Sequence, residues 1–262
     1  MPTYYAKRSL EIFREEGPVE VAKASMRFLI SRSLPVEQRW RMYSLKKAWM
    51  EGHTGIGDPL QVYRVDPREL HYIYSGDGVD FIANGDWDID GKKHVDDWFR
   101  MSMFTKHFEH GIPWRDIEEY QMLEETIRDR GWVGTLDIPK EEHSVEKLYE
   151  YHMFIDELYN KIKDYGYKSQ KELTKKDDFA KRDIHHSLNE IQVRISRDGE
   201  IMPSTGYHRF TIAKILGINS VPVRTKTRHL EWQKLRDKIH NNGLPEGRED
   251  LRDHPELQDI LD

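Results

Sequence analysis

The sequence predicts an α+β fold, a small mixed sheet with helices, preceded by a helical N-terminal extension. Three observations predict it. Apolar residues recur at helical spacing from Tyr4 to Met50 and again from Trp98 to Tyr165. Short alternating runs stand at Leu60–Val65, Leu70–Tyr74 and Glu190–Ser196, as strands require. In the last third, Asp198 to Val223 reads as strand end, Thr-Gly turn, short amphipathic helix and returning strand, with Gly217 where the helix stops.

Taken in order, residues 1–52 read as helices, Tyr4–Gly17, Pro18–Ser31 and Pro35–Met50. Pro18 after Gly17 suits a stop and a new start. Lys7, Arg8, Arg14, Lys23, Arg27 and Arg32 make this region basic. It reads either as an amphipathic anchor on an anionic membrane surface or as a helical cap on the core or a second subunit. Gly52 to Gly57 reads as a linker. Residues 58–140 form an α+β region, 141–240 a compact module and 241–262 a loose acidic tail with one short helix. Within the module, Val145–Tyr165 is a strong helix with Leu148, Tyr151, Ile155, Leu158 and Ile162 on one stripe, and Ser144 is a fair N-cap. In Glu190–Ser196, Ile191, Val193 and Ile195 point inward and Gln192 and Arg194 outward. Lys175–Arg182 reads as a solvated charged loop, and Arg228 as the start of a final helix.

Composition bounds the chemistry. The chain has 262 residues, 37% hydrophobic and 34% charged, with 41 basic against 47 acidic side chains and a formal charge of -6. That acidity disfavours a general nucleic-acid binder. Without cysteine there is no disulfide framework and no thiol chemistry. No apolar run approaches the roughly 18 residues of a membrane span, and no signal peptide is visible, so the expectation is a cytoplasmic protein, with the N-terminal helices as the means of any membrane-surface contact.

The turn at Gly206 carries the chemistry. A glycine at a helix entrance lets backbone N–H groups approach an anion, and the helix dipole favours negative charge there. His208 and Arg209 stand in the first turn, where side-chain donors can join those amides around a phosphate. Gly85-Asp-Trp-Asp88, continuing to Asp90, Gly91 and Asp97, has the formal spacing of a calcium loop. Lys93, Asp rather than Glu at the last position, and a preceding strand-like run count against it. A solvated acidic turn is the alternative to a Mg²⁺ or Ca²⁺ site at Asp86 and Asp88. His107 and His110 share a helix face without an evident third metal ligand.

Gly206-Tyr-His-Arg209, the helix ending Ile-Leu-Gly217 and Val221-Pro-Val223 resemble the signature of the ParB/sulfiredoxin superfamily. The turn is similar to the Asp-Gly-x-His-Arg form of the archaeal free serine kinase. Residues from about 60 to 240 look like an archaeal family that shares Gly85-Asp-Trp-Asp88, His107–Trp114, Tyr165–Gln170 and Arg228–Gln233. The N-terminal helices loosely resemble the openings of archaeal enzymes of surface-glycan assembly.

The resemblance implies nucleotide binding by Thr205, Gly206, Tyr207, His208 and Arg209, with Lys168 and Arg228 reaching the same cleft. It implies ATP or ADP with Mg²⁺, the metal aided by Asp86 and Asp88. His208 and a glutamate near the start of the long helix, Glu142 or Glu141, would be catalytic. A carboxylate there can take the proton of an attacking hydroxyl, and it can equally complement the helix dipole. The implied activity is a nucleotide-dependent phosphotransferase (a kinase) acting on a small hydroxyl or glycan-linked substrate. A ParB-like nucleotide-gated DNA-binding or nuclease protein and a non-catalytic nucleotide sensor are the alternatives. Two departures matter: Thr205 stands where the kinase has an aspartate, and Tyr207 where sulfiredoxin has its cysteine.

Overall fold

The computed structural model describes residues 36–76, 80–136, 138–174 and 189–261. The expected helices at 4–17 and 18–31, their basic residues and the charged loop at 175–182 lie outside the described residues. The described chain is α+β. The first helix, α1 (Val36–Met50), leads to strand β1 (Val62–Val65), β2 (Tyr72–Tyr74) and β3 (Ile82–Ala83). Helix α2 (Trp87–Asp90) and β4 (Lys92–His94) precede three longer helices, α3 (Phe99–Phe108), α4 (Glu118–Arg130) and α5 (Val145–Tyr165). After the short α6 (Gln170–Thr174) come β5 (Ile191–Ile195), β6 (Ile201–Thr205), α7 (Tyr207–Ile215), β7 (Val221–His229), α8 (Leu230–Asn242) and α9 (Gln258–Leu261).

The main sheet runs β1-β7-β5-β6. β5 lies parallel to β7 and antiparallel to β6, so the chain makes a hairpin, crosses over through α7 and returns beside β5. β1 is antiparallel to the start of β7, and β3 is parallel to its end. A separate hairpin pairs β2 with β4. β7 extends through His229, longer than the expected 218–223, because every one of its residues except Lys226 is buried. The final helix therefore begins at Leu230 rather than at Arg228. His229 caps it, its Nδ1 accepting the Glu231 N–H at 3.1 Å.

Two apolar cores meet at α7. Phe210 and Ala213 join Ile191, Val193, Ile195, Val221 and Val223 on the sheet. Ile212 joins Phe104, Trp114, Tyr120, Leu148 and Ile155 in the helical layer. A helix buried on two sides is held firmly; truncating Phe210 to alanine would cost about 3–5 kcal/mol. Its N-terminus is thereby fixed at the seam between sheet and helices, where α3 and α5 pass.

Three expectations are corrected. Arg194 is not outward: it is 2% exposed, with its guanidinium 3.8 Å from the centroid of the Tyr74 ring. The sheet face that alternation leaves for solvent is covered here by Tyr74, Trp87 and Met202. Residues 53–57 are not a linker but a strap across α8. Asp237 accepts from His53 Nδ1 at 2.6 Å and from the Thr54 and Gly55 N–H groups, and Gly55 O accepts from Gln233 and Arg236. The tail is not loose. Leu251 and Leu257 are buried, and Glu256 sits in the core between Arg228, Trp232 and Arg236.

Candidate phosphate-binding cleft

β6 ends in Ser204 and Thr205, and Gly206 then turns the chain into α7 with φ 70° and ψ 26°, the left-handed region. A Cβ there would stand 3.1 Å from the Ile191 Cα and 3.3 Å from the Arg209 guanidinium. Glycine is therefore required both by the backbone angle and by the close approach to β5. No described side chain caps α7, so among the described residues its first-turn amides have no side-chain acceptor. They adjoin a cleft of about 890 Å³ walled by residues 204–209, by Arg100 of α3, by Tyr151, Phe154, Ile155 and Leu158 of α5, by residues 134–136, and by Gln170 and Asn189.

Arg100 is the residue that sequence reasoning missed. It is 8% exposed, its Nε has no hydrogen-bond partner, and among the described residues no carboxylate pairs with it. Burial pushes its pKa below the usual guanidinium range. Its Nη1 hydrogen-bonds the Nε2 of His208, and the Tyr151 hydroxyl lies 3.1 Å from the same nitrogen. Burial, with the Arg100 charge next, drives the His208 pKa down to about 2. His208 is thus a neutral imidazole that accepts from Arg100 and stacks on Phe104, with centroids 5.8 Å apart. It orients the guanidinium and brings no positive charge of its own to the cleft.

Arg209 supplies the second guanidinium. Its Nη2 donates to Asn189 O, and its Nη1 lies 3.9 Å from Oε2 of Glu190. Glu190, likewise not foreseen, is 2% exposed and accepts the Gln170 N–H at 2.7 Å. Burial raises its carboxyl to about 7, against partial relief from that N–H and from Arg209. Helical spacing could have revealed Arg100, which shares with Met103 and Phe104 the buried face of α3. A charge on an apolar face is the signal.

The other expected site residues are divided. Thr205, Gly206, Tyr207, His208 and Arg209 line the cleft together. The Tyr207 side chain turns inward, donating to Tyr74 O and packing against Trp98 with ring centroids 4.8 Å apart and planes tilted by 60°, and burial lifts its pKa to about 12. Lys168 lies beside an adjoining groove, its ammonium 5.3 Å from the Tyr165 ring centroid. Glu141 and Glu142 sit in an exposed turn before α5, and neither lines the cleft. Arg228 is 3% exposed and spent on Glu256, Ile56 O and Gln233, away from the cleft.

Asp86 and Asp88 are held by Arg197. Its backbone N–H and Nε donate to Asp88 Oδ2 at 2.9 Å, and its Nη2 reaches Asp88 Oδ1 at 2.7 Å and Asp86 Oδ1 at 2.8 Å. Burial would raise the Asp88 carboxyl, but these hydrogen bonds outweigh it and hold the pKa below the usual carboxylate range. The loop is an arginine-clamped turn. No group of three or more His, Asp or Glu side chains suited to a metal occurs among the described residues. The described side chains lining the cleft include no carboxylate. The described donor set therefore lends no support to a resident Mg²⁺ at Asp86 and Asp88, whose carboxylates Arg197 engages. His107 likewise serves structure, with Nε2 3.0 Å from Asp156 and Nδ1 2.7 Å from Ile112 O.

No helix among the described residues is long and apolar enough to cross a membrane. The chain matches no protein-family model, no curated protein and no solved structure.

Proposed function

We propose that this cleft binds the phosphate groups of a nucleotide and that the chain uses it to transfer a phosphoryl group to a hydroxyl. The observation that carries the reading is the uncapped N-terminus of α7 facing the same cleft as Arg100, a buried guanidinium with no carboxylate among the described residues. An anion there would meet oriented amides and two guanidiniums at once, in a setting where water screens little. The likeness of Gly206-Tyr-His-Arg209 to the phosphate-binding turn of ParB/sulfiredoxin-type proteins points the same way. In the transfer, the acceptor hydroxyl oxygen bonds the terminal phosphorus, the bond to the bridging oxygen breaks with its electron pair going to the departing nucleotide, and the hydroxyl proton passes to solvent water. The chain's contribution is positioning and charge stabilisation by the amides, Arg100 and Arg209. Mg²⁺ would enter as part of a metal–nucleotide complex, held by the phosphates.

A second reading, a nucleotide sensor without catalysis, is favoured by one observation. No described carboxylate lines the cleft to serve as base, and Thr205 stands where the kinase-like turn has aspartate. Thermal-shift titration with ATP, ADP, GTP and CTP, with and without Mg²⁺, tests the shared core of both readings. A shift abolished by Arg209→Ala supports it, and no shift with any nucleotide sinks it. Release or transfer of labelled terminal phosphate then separates the enzyme from the sensor.

A further inference from the structure

A second depression adjoins the phosphate cleft, and its chemistry is different. It forms where α5 ends, the chain turns at Gly166 and α6 begins, and it encloses about 350 Å³. Leu158 and Ile162 line it from α5, with Tyr165, Tyr167 and Leu173. Three residues, Leu158, Gln170 and Arg209, line both this groove and the phosphate cleft, so the two adjoin along a common wall. Tyr165 is 71% exposed and Leu173 44%, large apolar surfaces left open at the end of a site whose other end is cationic.

From this adjacency we infer that the groove seats the base of the same nucleotide whose phosphates lie on α7, an inference that rests on the phosphate reading above. The volume is near the lower end of small-molecule sites, about 300–1,000 Å³, enough for a ring system and too small for a large ligand. A planar heterocycle can stack on Tyr165, as bases do on aromatic side chains without needing a fixed sequence of hydrogen bonds. Gln170 stands at the junction, where a sugar would bridge the two parts, and Lys168 lies at the Tyr165 end. The groove thus gives the phosphate cleft a means of telling a nucleotide from a bare polyphosphate. The segment Tyr165-Gly-Tyr-Lys-Ser-Gln170 acquires a role as the wall of the base site.

The test is calorimetric titration of the full chain with ATP, GTP and CTP and, separately, with inorganic tripolyphosphate. The wild type is expected to bind at least one nucleotide about tenfold or more tighter than tripolyphosphate. Tyr165→Ala, at an exposed position where folding is not at stake, and Leu173→Ser are expected to bring that nucleotide towards the tripolyphosphate affinity while leaving tripolyphosphate itself unchanged. Arg209→Ala should weaken both ligands. Equal affinity for nucleotides and tripolyphosphate in the wild type, or unchanged nucleotide affinity in both groove variants, overturns the base site and leaves the phosphate reading standing. Failure of every nucleotide and of tripolyphosphate to bind overturns the phosphate reading, and the base site with it. Tighter binding of geranyl diphosphate than of any nucleotide would assign the groove to an apolar chain and overturn the inference in that direction.

Discussion

Arg228 and Arg100 are both buried guanidiniums, 3% and 8% exposed, yet they stand in opposite electrostatic settings. Arg228, with its neighbour Arg236, has Glu256, whose carboxylate also accepts from Trp232 Nε1 at 2.8 Å. Arg236 further pairs with Asp259 at 2.9 Å. Around Glu256, burial opposes ionisation, but the two arginines more than offset it and keep the carboxyl below its usual pKa. Arg100 has a neutral imidazole and tyrosine hydroxyls around it, and no described carboxylate. One region closes its charges on itself and holds the C-terminal segment against β7 and α8. Among the described residues, the other leaves a positive charge without a carboxylate beside a helix that no described side chain caps. The difference separates an arginine that maintains the fold from one suited to an external anion, a distinction that residue type alone does not reveal.

The largest expected effect breaks the closed network. Glu256→Gln leaves the buried Arg228 without a carboxylate and Arg236 with Asp259 alone, and is expected to cost about 3–5 kcal/mol, lowering the Tm by roughly ten degrees in thermal denaturation. Smaller is the loss from Asp88→Asn, about 1–3 kcal/mol at pH 7, because Arg197 keeps Asp86. Since Asp88 is depressed in the folded state, its contribution is present above the unfolded value near 3.8 and disappears as pH falls through the lower folded value. The variant should therefore match the wild type in strong acid, and nucleotide binding should be unaffected throughout.

The opposite sign is expected at Glu190. Its folded pKa, about 7, exceeds the unfolded 4.5, so the folded chain binds the proton more tightly and stability falls as pH rises between those values, then levels off. Glu190→Gln is expected to equal the wild type near pH 4 and to exceed it by about 1–3 kcal/mol at pH 8, read from denaturant midpoints at the two pH values. Equal stability at both would show that Arg209 already neutralises the carboxylate.

What the sequence disclosed follows from how local each signal is. The β6–Gly206–α7 turn was legible because its glycine, the spacing of the apolar residues and Gly217 lie within a dozen residues or so. The helix α5 was legible from its stripe and from Ser144, which accepts the Lys147 N–H at 3.1 Å. The burial of Arg100 was open to reading from its place on the apolar face of α3, but its partner was not, because the turn it completes is 108 residues away. Glu190 stood at a strand boundary, where alternation carries no information about burial. The tail was misread for the same reason: Glu256 is polar and stands in a charged stretch, and only its partners 20 to 28 residues upstream make it core. The acidic loop shows the converse: its local spacing suggested a metal or a solvated turn, and the distant Arg197 that engages its carboxylates could not be read from that spacing.

The most direct measurement is a paired one on Arg100→Met, a variant of similar bulk without the charge: its Tm, and its calorimetric affinity for the nucleotide that binds the wild type best. The expected result is a Tm equal to or above that of the wild type, because an uncompensated buried charge is gone, together with a loss of affinity of about tenfold or more. A variant that binds as well as the wild type, or one that loses stability as Glu256→Gln does, would contradict the assignment of Arg100 to an external anion.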